Sequence, residues 1–433
     1  MSAVTVKQAV ALYKQAYEQG QLAEAEHHLR HALALTRQEQ GDRQAEQEIL
    51  IQLGLVAKEQ GNISMGQDFL MEALTMAQDQ QDRQSEALIM LALGDVGHAV
   101  LDSRWIDDAR GWYEQALEIM RDVHDQEGER MALARLGASW NQLGEEEWRQ
   151  GEGDAAKSSY EESLRIRHAL QDRQGEGEVL SNLGEIARVR GQLEEAERCF
   201  AEALVLVREA HNRTGEGRIL AFQGDLAEAR GQLEEAERCF TDALGIAVGR
   251  GDRPVEGMVR YRLGLLAEQR GHLEEAERYL QQALMIDEEE QDRVGEGQDL
   301  AHLGLIHQQR GELAAAAESF QRARVIFAEV RDWESEGDML FRLGQLAQMR
   351  GHFEEAEDAY QSSMFSFQVA QYPHREGDVL HALGELAQQR GQPAEAQRYF
   401  EQAQAIFRET AAPGYVRVVR QLDVWPRPRR IRV

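Results

Sequence analysis

The eleven residues R-G-Q-L-E-E-A-E-R-C-F occupy positions 190–200 and return letter for letter at 230–240, forty residues on. A catalytic motif is needed once, whereas an element copied at a fixed interval is a structural unit, so this duplication restricts the chain to a repeat architecture. The period continues well beyond the duplicated stretch. Arg-Gly stands at 190, 230, 270, 310, 350 and 390. Seven residues before each of those glycines is another, from Gly184 and Gly224 to Gly384, preceded by Leu everywhere except at Gln223. After the Arg-Gly come Ala196, Phe200 and Ala203, and the later copies keep this order of small, large apolar and small residues, with Leu280, Tyr360 and Ser363 as variants.

Each copy reads as two amphipathic helices. Leu180, Leu183, Gly184 and Ala187 fall on one helical stripe, and Ala196, Phe200, Ala203 and Leu204 on a second. The small residues let the two helices approach, the large one fills the space between them, and the Arg-Gly glycine ends the first helix in a left-handed conformation. Asp172, Asn212 and Asp292 precede the Gly-Glu-Gly triplets and are suited to cap the helices that follow. With 433 residues the chain exceeds one ordinary core, but stacked units pack only on their neighbours and escape that limit.

Earlier copies are less regular. Gly20, Ala25, Leu29 and Ala32 mark the first, with Tyr13 where its helix glycine should be, and Leu53-Gly54 marks the second. The third, around Leu93-Gly94, has three extra residues before Tyr113. In the fourth, Leu136-Gly137 reaches Gly151 after seven additional residues, which predicts a first helix about two turns longer than its neighbours. The expected layout is a continuous array over 1–412, with units near 1–40, 41–81, 82–124, 125–171, 172–211, 212–251, 252–291, 292–331, 332–371 and 372–412. A basic tail at 413–433 follows, carrying Arg417, Arg420, Arg427, Arg429, Arg430 and Arg432, and Val416, Val418 and Val419 suit it to cap the last unit or to lie on the acidic array.

The Leu-Gly, Ala, large apolar, Ala signature resembles the tetratricopeptide repeat, in the forty-residue form similar to Partner-of-Inscuteable adaptors and kinesin light chains. The resemblance implies an all-α fold, a right-handed superhelical α-solenoid of about ten helix pairs, whose first helices line a concave groove for extended or helical peptides. On the first helices, the face opposite the apolar stripe carries Glu178, Ser181, Asn182, Glu185 and Arg188 in one copy. The next copies present Arg218, Asp225 and Glu228, then Tyr261, Arg262 and Glu268, then His302 and Gln308. Phe341, Arg342, Gln345 and Gln348 follow, and then Asp378, His381, Glu385 and Gln388. These positions vary between copies while the packing positions hardly change, as a partner-reading surface requires.

Other function classes fare worse. The formal charge of -29 excludes a general nucleic-acid binder, which needs Lys and Arg against phosphates. Much of that charge is Leu-Glu-Glu-Ala-Glu, placed in first turns where the helix dipole favours anions. No run of about 18 apolar residues is present to span a membrane, and 1–10 do not read as a signal peptide, so a cytoplasmic protein is expected. Cys199 and Cys239 occupy equivalent positions and read as small packing residues rather than a disulfide. His27, His28 and His31 share a helix but lack a completing ligand, and no nucleophile elbow, phosphate loop or metalloprotease motif occurs. Neither metal nor cofactor is expected. Trp105, Trp112, Trp140 and Trp148 gather where the period breaks, and Arg260 takes a slot that is Leu in five other copies and must find a local partner. The sequence thus predicts a non-catalytic scaffold or adaptor for a protein or peptide with basic or apolar segments. A ligand-gated sensor is the alternative, and an enzyme at the junction of the third and fourth units a weaker third.

Overall fold

The computed structural model describes residues 5–38, 42–98 and 103–410. Among them the chain is all helical, two helices to each copy of the repeat. The predicted tail at 413–433 lies outside the described residues, as do 411–412 of the expected array.

The helices divide into two compact units, Met1–Leu226 and Ala227–Val433. The first holds α1 (Val6–Glu18), α2 (Leu22–Gln38), α3 (Arg43–Glu59), α4 (Ile63–Asp79), α5 (Arg83–Gly97), α6 (Ser103–Asp122), α7 (Gln126–Arg149), α8 (Gly153–Leu170), α9 (Arg173–Val189) and α10 (Leu193–Glu209). The division falls within α11 (Arg213–Ala229). The second continues with α12 (Leu233–Arg250), α13 (Arg253–Gln269), α14 (Leu273–Glu290), α15 (Arg293–Gln309), α16 (Leu313–Val330), α17 (Trp333–Met349), α18 (Phe353–Ala370), α19 (Pro373–Gln389) and α20 (Pro393–Glu409).

The recurring residues explain both how each pair begins and how it closes. The Asp172 carboxylate accepts from the Gly175 amide at 3.0 Å, satisfying a donor that the start of α9 would otherwise leave unpaired. At the other end Gly191 adopts φ 73°, a left-handed conformation that turns the chain into α10. The helices of a pair then meet at a glycine and a large side chain. A β-carbon on Gly184 would stand 2.6 Å from the Phe200 ring, so only glycine admits this approach. Gly54 meets Leu70, Gly94 meets Tyr113, Gly264 meets Leu280 and Gly384 meets Phe400 in the same way. Phe200, Phe320 and Phe400 are wholly buried, each such ring contributing about 1.5–3 kcal/mol by leaving water.

A second cradle lies nearer the start of each first helix. Gly177 receives Val207, Gly297 receives Phe327, Gly337 receives Phe367 and Gly377 receives Phe407. Each of those side chains comes from the end of the second helix, thirty residues on. Just before the cradle, Glu176, Glu216, Glu256, Glu296 and Glu336 are each buried. Arg213 bonds Glu216 at 2.5 Å, and Arg173 and Arg253 bond Glu176 and Glu256 at 3.2 and 3.3 Å. A carboxylate without such a partner would be costly to bury.

The irregular copies keep this logic with local changes. Helix α7 runs for 24 residues where α9 has 17. The glycine that meets Tyr160 is Gly144, not Gly137, so the added residues lie before the packing glycine rather than after it. Arg260 bonds Glu256 at 2.5 Å and Gln282 at 2.5 Å, the local pairing that its exceptional slot demands. Trp105 and Trp112 line one cavity. Trp112 packs on the first core cluster, Trp148 on the Ala156–Tyr160 cluster, and Trp140 lies 4.1 Å beneath the Arg110 guanidinium.

Candidate binding surface on the first helices

The first helices turn their packing glycines onto large side chains of the paired helices, and polar slots near the glycine, such as Asn182 and Glu185, are half-buried. In the first compact unit, Asn182 donates from Nδ2 to Asn141 at 3.3 Å, joining α9 to α7. Glu185 and Arg188 neutralise each other through bonds of 2.8 and 2.6 Å, so neither is an uncommitted charge. Glu178 accepts from Gln174, while Ser181 is buried. A stronger polar group sits on α5 to α7. Arg135 grips Asp95 with two bonds of 2.7 and 2.9 Å, and the Tyr113 hydroxyl donates to the same carboxylate at 2.9 Å. Burial and then the charge of Asp95 raise the Tyr113 phenol well above its ordinary value.

The second unit carries the denser constellation. Tyr261 on α13 meets His302 on α15 edge to face with ring centroids 5.6 Å apart. His302 Nδ1 lies 3.2 Å from the Glu268 carboxylate, which also accepts from Gln309 at 2.9 Å. Three predicted residues therefore form one network across two first helices. Beside it, the Arg342 guanidinium lies 5.9 Å from the Phe320 ring, and burial lowers its pKa from the ordinary arginine value. Gln345 is half-buried, and the side-chain oxygen of Gln308 is enclosed. Phe341 packs on Tyr360 and supports Arg375, which pairs with Asp338 and, at 3.0 Å, with Asp378. His381 lies 3.2 Å from Glu385 and against Phe400.

Three expectations about exposure fail, that for the buried Ser181 among them. Asp225 and His381 are each only 7 % exposed and so belong to the packed layer, because the turn of the helix brings them under neighbouring side chains. Glu228 and Arg262 are half-buried on the predicted face. Sequence reasoning passed over Asp95, Arg135 and Arg375. Asp95 stands at the slot of Glu185 in a copy where the repeat is irregular, which was the available signal, whereas Arg135 lies nine residues before the packing glycine Gly144.

Among the described residues no group of three or more His, Cys, Asp or Glu side chains is arranged to hold a metal ion. No described helix is long and apolar enough to cross a membrane. Cys199 and Cys239 are free thiols, half-buried, and burial raises the pKa of both.

A family model described as the MalT-like TPR region matches residues 167–333, and a tetratricopeptide-repeat model matches residues 379–406. The finer likeness to polarity adaptors and kinesin light chains goes beyond what these two models state. Among solved structures, the apo form of RapI is similar with a TM-score of 0.53 at 14% identity, over 84% of this chain and 98% of that one. A STAND protein with a tetratricopeptide repeat sensor from Pyrococcus horikoshii is similar with a TM-score of 0.59 at 17% identity, over 88% of this chain and 54% of that one. This chain thus spans about half the length of the STAND protein. Among curated proteins no match is found.

Proposed function

We propose that this tetratricopeptide-repeat protein is a non-catalytic scaffold that holds a protein or peptide segment against its first helices, in the cytoplasm. The observation that carries this reading is the contrast between two sets of positions on the same helices. Gly264, Gly304 and Gly344 hold one packing role unchanged, while the neighbouring slots change from Tyr261 and Arg262 to His302 to Phe341 and Arg342. Aromatic and arginine side chains at partly covered positions are the residue types that dominate binding energy at protein interfaces. The acidic chain as a whole favours a segment with basic as well as apolar residues.

The test is affinity capture from the native lysate with the wild-type chain and with the variant Tyr261→Ala, His302→Ala, Phe341→Ala. A captured partner should be lost from the variant while its helicity is retained. A partner held equally by both would overturn the assignment of this surface. Asp225 is left out of the variant, because its burial would make a substitution there a folding defect rather than a binding probe.

A second reading, a ligand-gated sensor, draws support from the STAND protein of similar fold, which is described as using such repeats as its sensor. A ligand-dependent change in radius of gyration, absent from a simple scaffold, separates the two.

A further inference from the structure

In the second compact unit, two columns that are apolar in most other copies turn acidic together. Asp299 occupies the position of Ile49, Ile89, Val179, Val259, Met339 and Val379. Asp287 occupies that of Val207, Phe327, Phe367 and Phe407; the other polar residues there, Thr36 and Arg167, are satisfied by the Ala32 carbonyl at 2.9 Å and by Asp172 at 2.7 Å. The two aspartates come from adjoining helices, α14 and α15, and meet. Asp287 sits over Gly257, where a β-carbon would be 2.8 Å from its Oδ1, as Phe327 sits over Gly297. Asp299 has no exposed surface. Among the described residues no N–H or hydroxyl reaches either of its carboxyl oxygens, and the side chain that engages it is the Asp287 carboxyl. Two carboxylates cannot hydrogen-bond, so this contact is attractive only while the pair holds a proton.

We propose that Asp287 and Asp299 form a proton-operated joint between α14 and α15, closed while one proton is shared between the two carboxyls and loosened when that proton leaves. Among the described residues no cation bonds either carboxyl oxygen of Asp299. Asp292, the cap of α15, and Glu296, one turn before Asp299, add negative charge, and Glu296 is itself bonded to Arg293. Glu290 from the end of α14 and, from α13, Tyr261 and Arg262 line a cavity of about 370 Å³ beside Asp287. Burial, then the neighbouring carboxylates, pushes Asp299 up to about 9 and Asp287 up to about 6, two steps that belong to the pair as a whole. Both values lie above the ordinary 3.8, so the folded joint binds protons more tightly than the unfolded chain. Its contribution to stability is complete below about pH 4 and is lost progressively as pH rises toward 9. The joint adjoins Tyr261 on α13, whose ring meets His302 on α15. It stands independently of whether that surface binds a partner.

Hydrogen exchange of the full chain, corrected for the chemical pH dependence, tests the joint from about pH 6 to above about pH 9. Protection across α14 and α15 should fall by about tenfold or more relative to α19 and α20, since one linked proton changes an opening constant up to about tenfold per pH unit. The variant Asp287→Phe, Asp299→Met, which restores the pattern of the next copy, should remove that relative fall. Asp299→Asn keeps the shape and donates an amide hydrogen bond to Asp287 with no proton to lose, and it should blunt the fall even where the double variant packs poorly. Constant relative protection in the wild type, or an undiminished fall in Asp299→Asn, would overturn the proposal.

Discussion

The Phe320 ring presses so closely on Gly304 that a β-carbon on the glycine would stand 2.5 Å from its Cε1. Gly304→Leu should therefore destabilise the protein by about 3 kcal/mol, the upper end of the usual cost of overpacking. Because repeat units contact only their neighbours, lost hydrogen-exchange protection should centre on α15 and α16. Damage spread evenly over all the helices would argue against a stack of locally closed pairs.

Gly191 presents the opposite case. It has φ 73° and nothing within 4 Å of where a β-carbon would be, so its requirement is one of backbone conformation alone. Gly191→Ala should cost about 1–2 kcal/mol, the usual penalty for forcing an L-residue into the left-handed region. Urea denaturation of the variant provides the measurement, and no loss of stability would contradict the strained turn.

Asp95 and Arg135, forty residues apart, form a two-pronged ion pair that the Tyr113 hydroxyl completes. In a double-mutant cycle built from Asp95→Asn and Arg135→Met, we expect a coupling of about 1 kcal/mol. That is less than a fully buried pair would give, because both side chains retain access to water. Additive single losses would show the geometry to be energetically idle.

Glu216 gives a sign-determined pH effect. Burial raises its pKa, but bonds from Arg208 at 2.8 Å and Arg213 at 2.5 Å outweigh burial and hold it below the ordinary 4.5. A depressed folded value means stability that is present above pH 4.5 and lost as pH falls through the lower folded value. Acid unfolding followed by circular dichroism should be less steep in Glu216→Gln, though that variant starts less stable at neutral pH. An unchanged acid transition would remove Glu216 from the groups that drive it.

How much of this was legible follows from the distance over which each feature is decided. The helix pair, its cap at Asp172, its stop at Gly191 and the Gly184–Phe200 contact lie within one period, and the repeated spacing exposes them directly. The length of α7 was readable too, but placing the extra turns required knowing which glycine meets Tyr160. The exposure of Asp225 and His381 was not readable, because whether a side chain beside the glycine faces water depends on the rotation of its helix against the next pair. Asp95–Arg135 and Tyr261–His302 bridge successive first helices, and a pattern within one copy cannot show such bridges. Asp287 and Asp299 do stand out as departures from their columns, yet only their meeting gives the departure a physical meaning.

Near-identical copies carry a hazard of their own, since a helix that fits its neighbour also fits the same neighbour one period away. The duplicated stretch at 190–200 and 230–240 cannot distinguish the correct partner from the slipped one. Helix α7 can, because its 24 residues match α8 in only one alignment, with Gly144 beneath Tyr160. A pair that closes in only that way gives the copies beside it a fixed point from which their own register can be set.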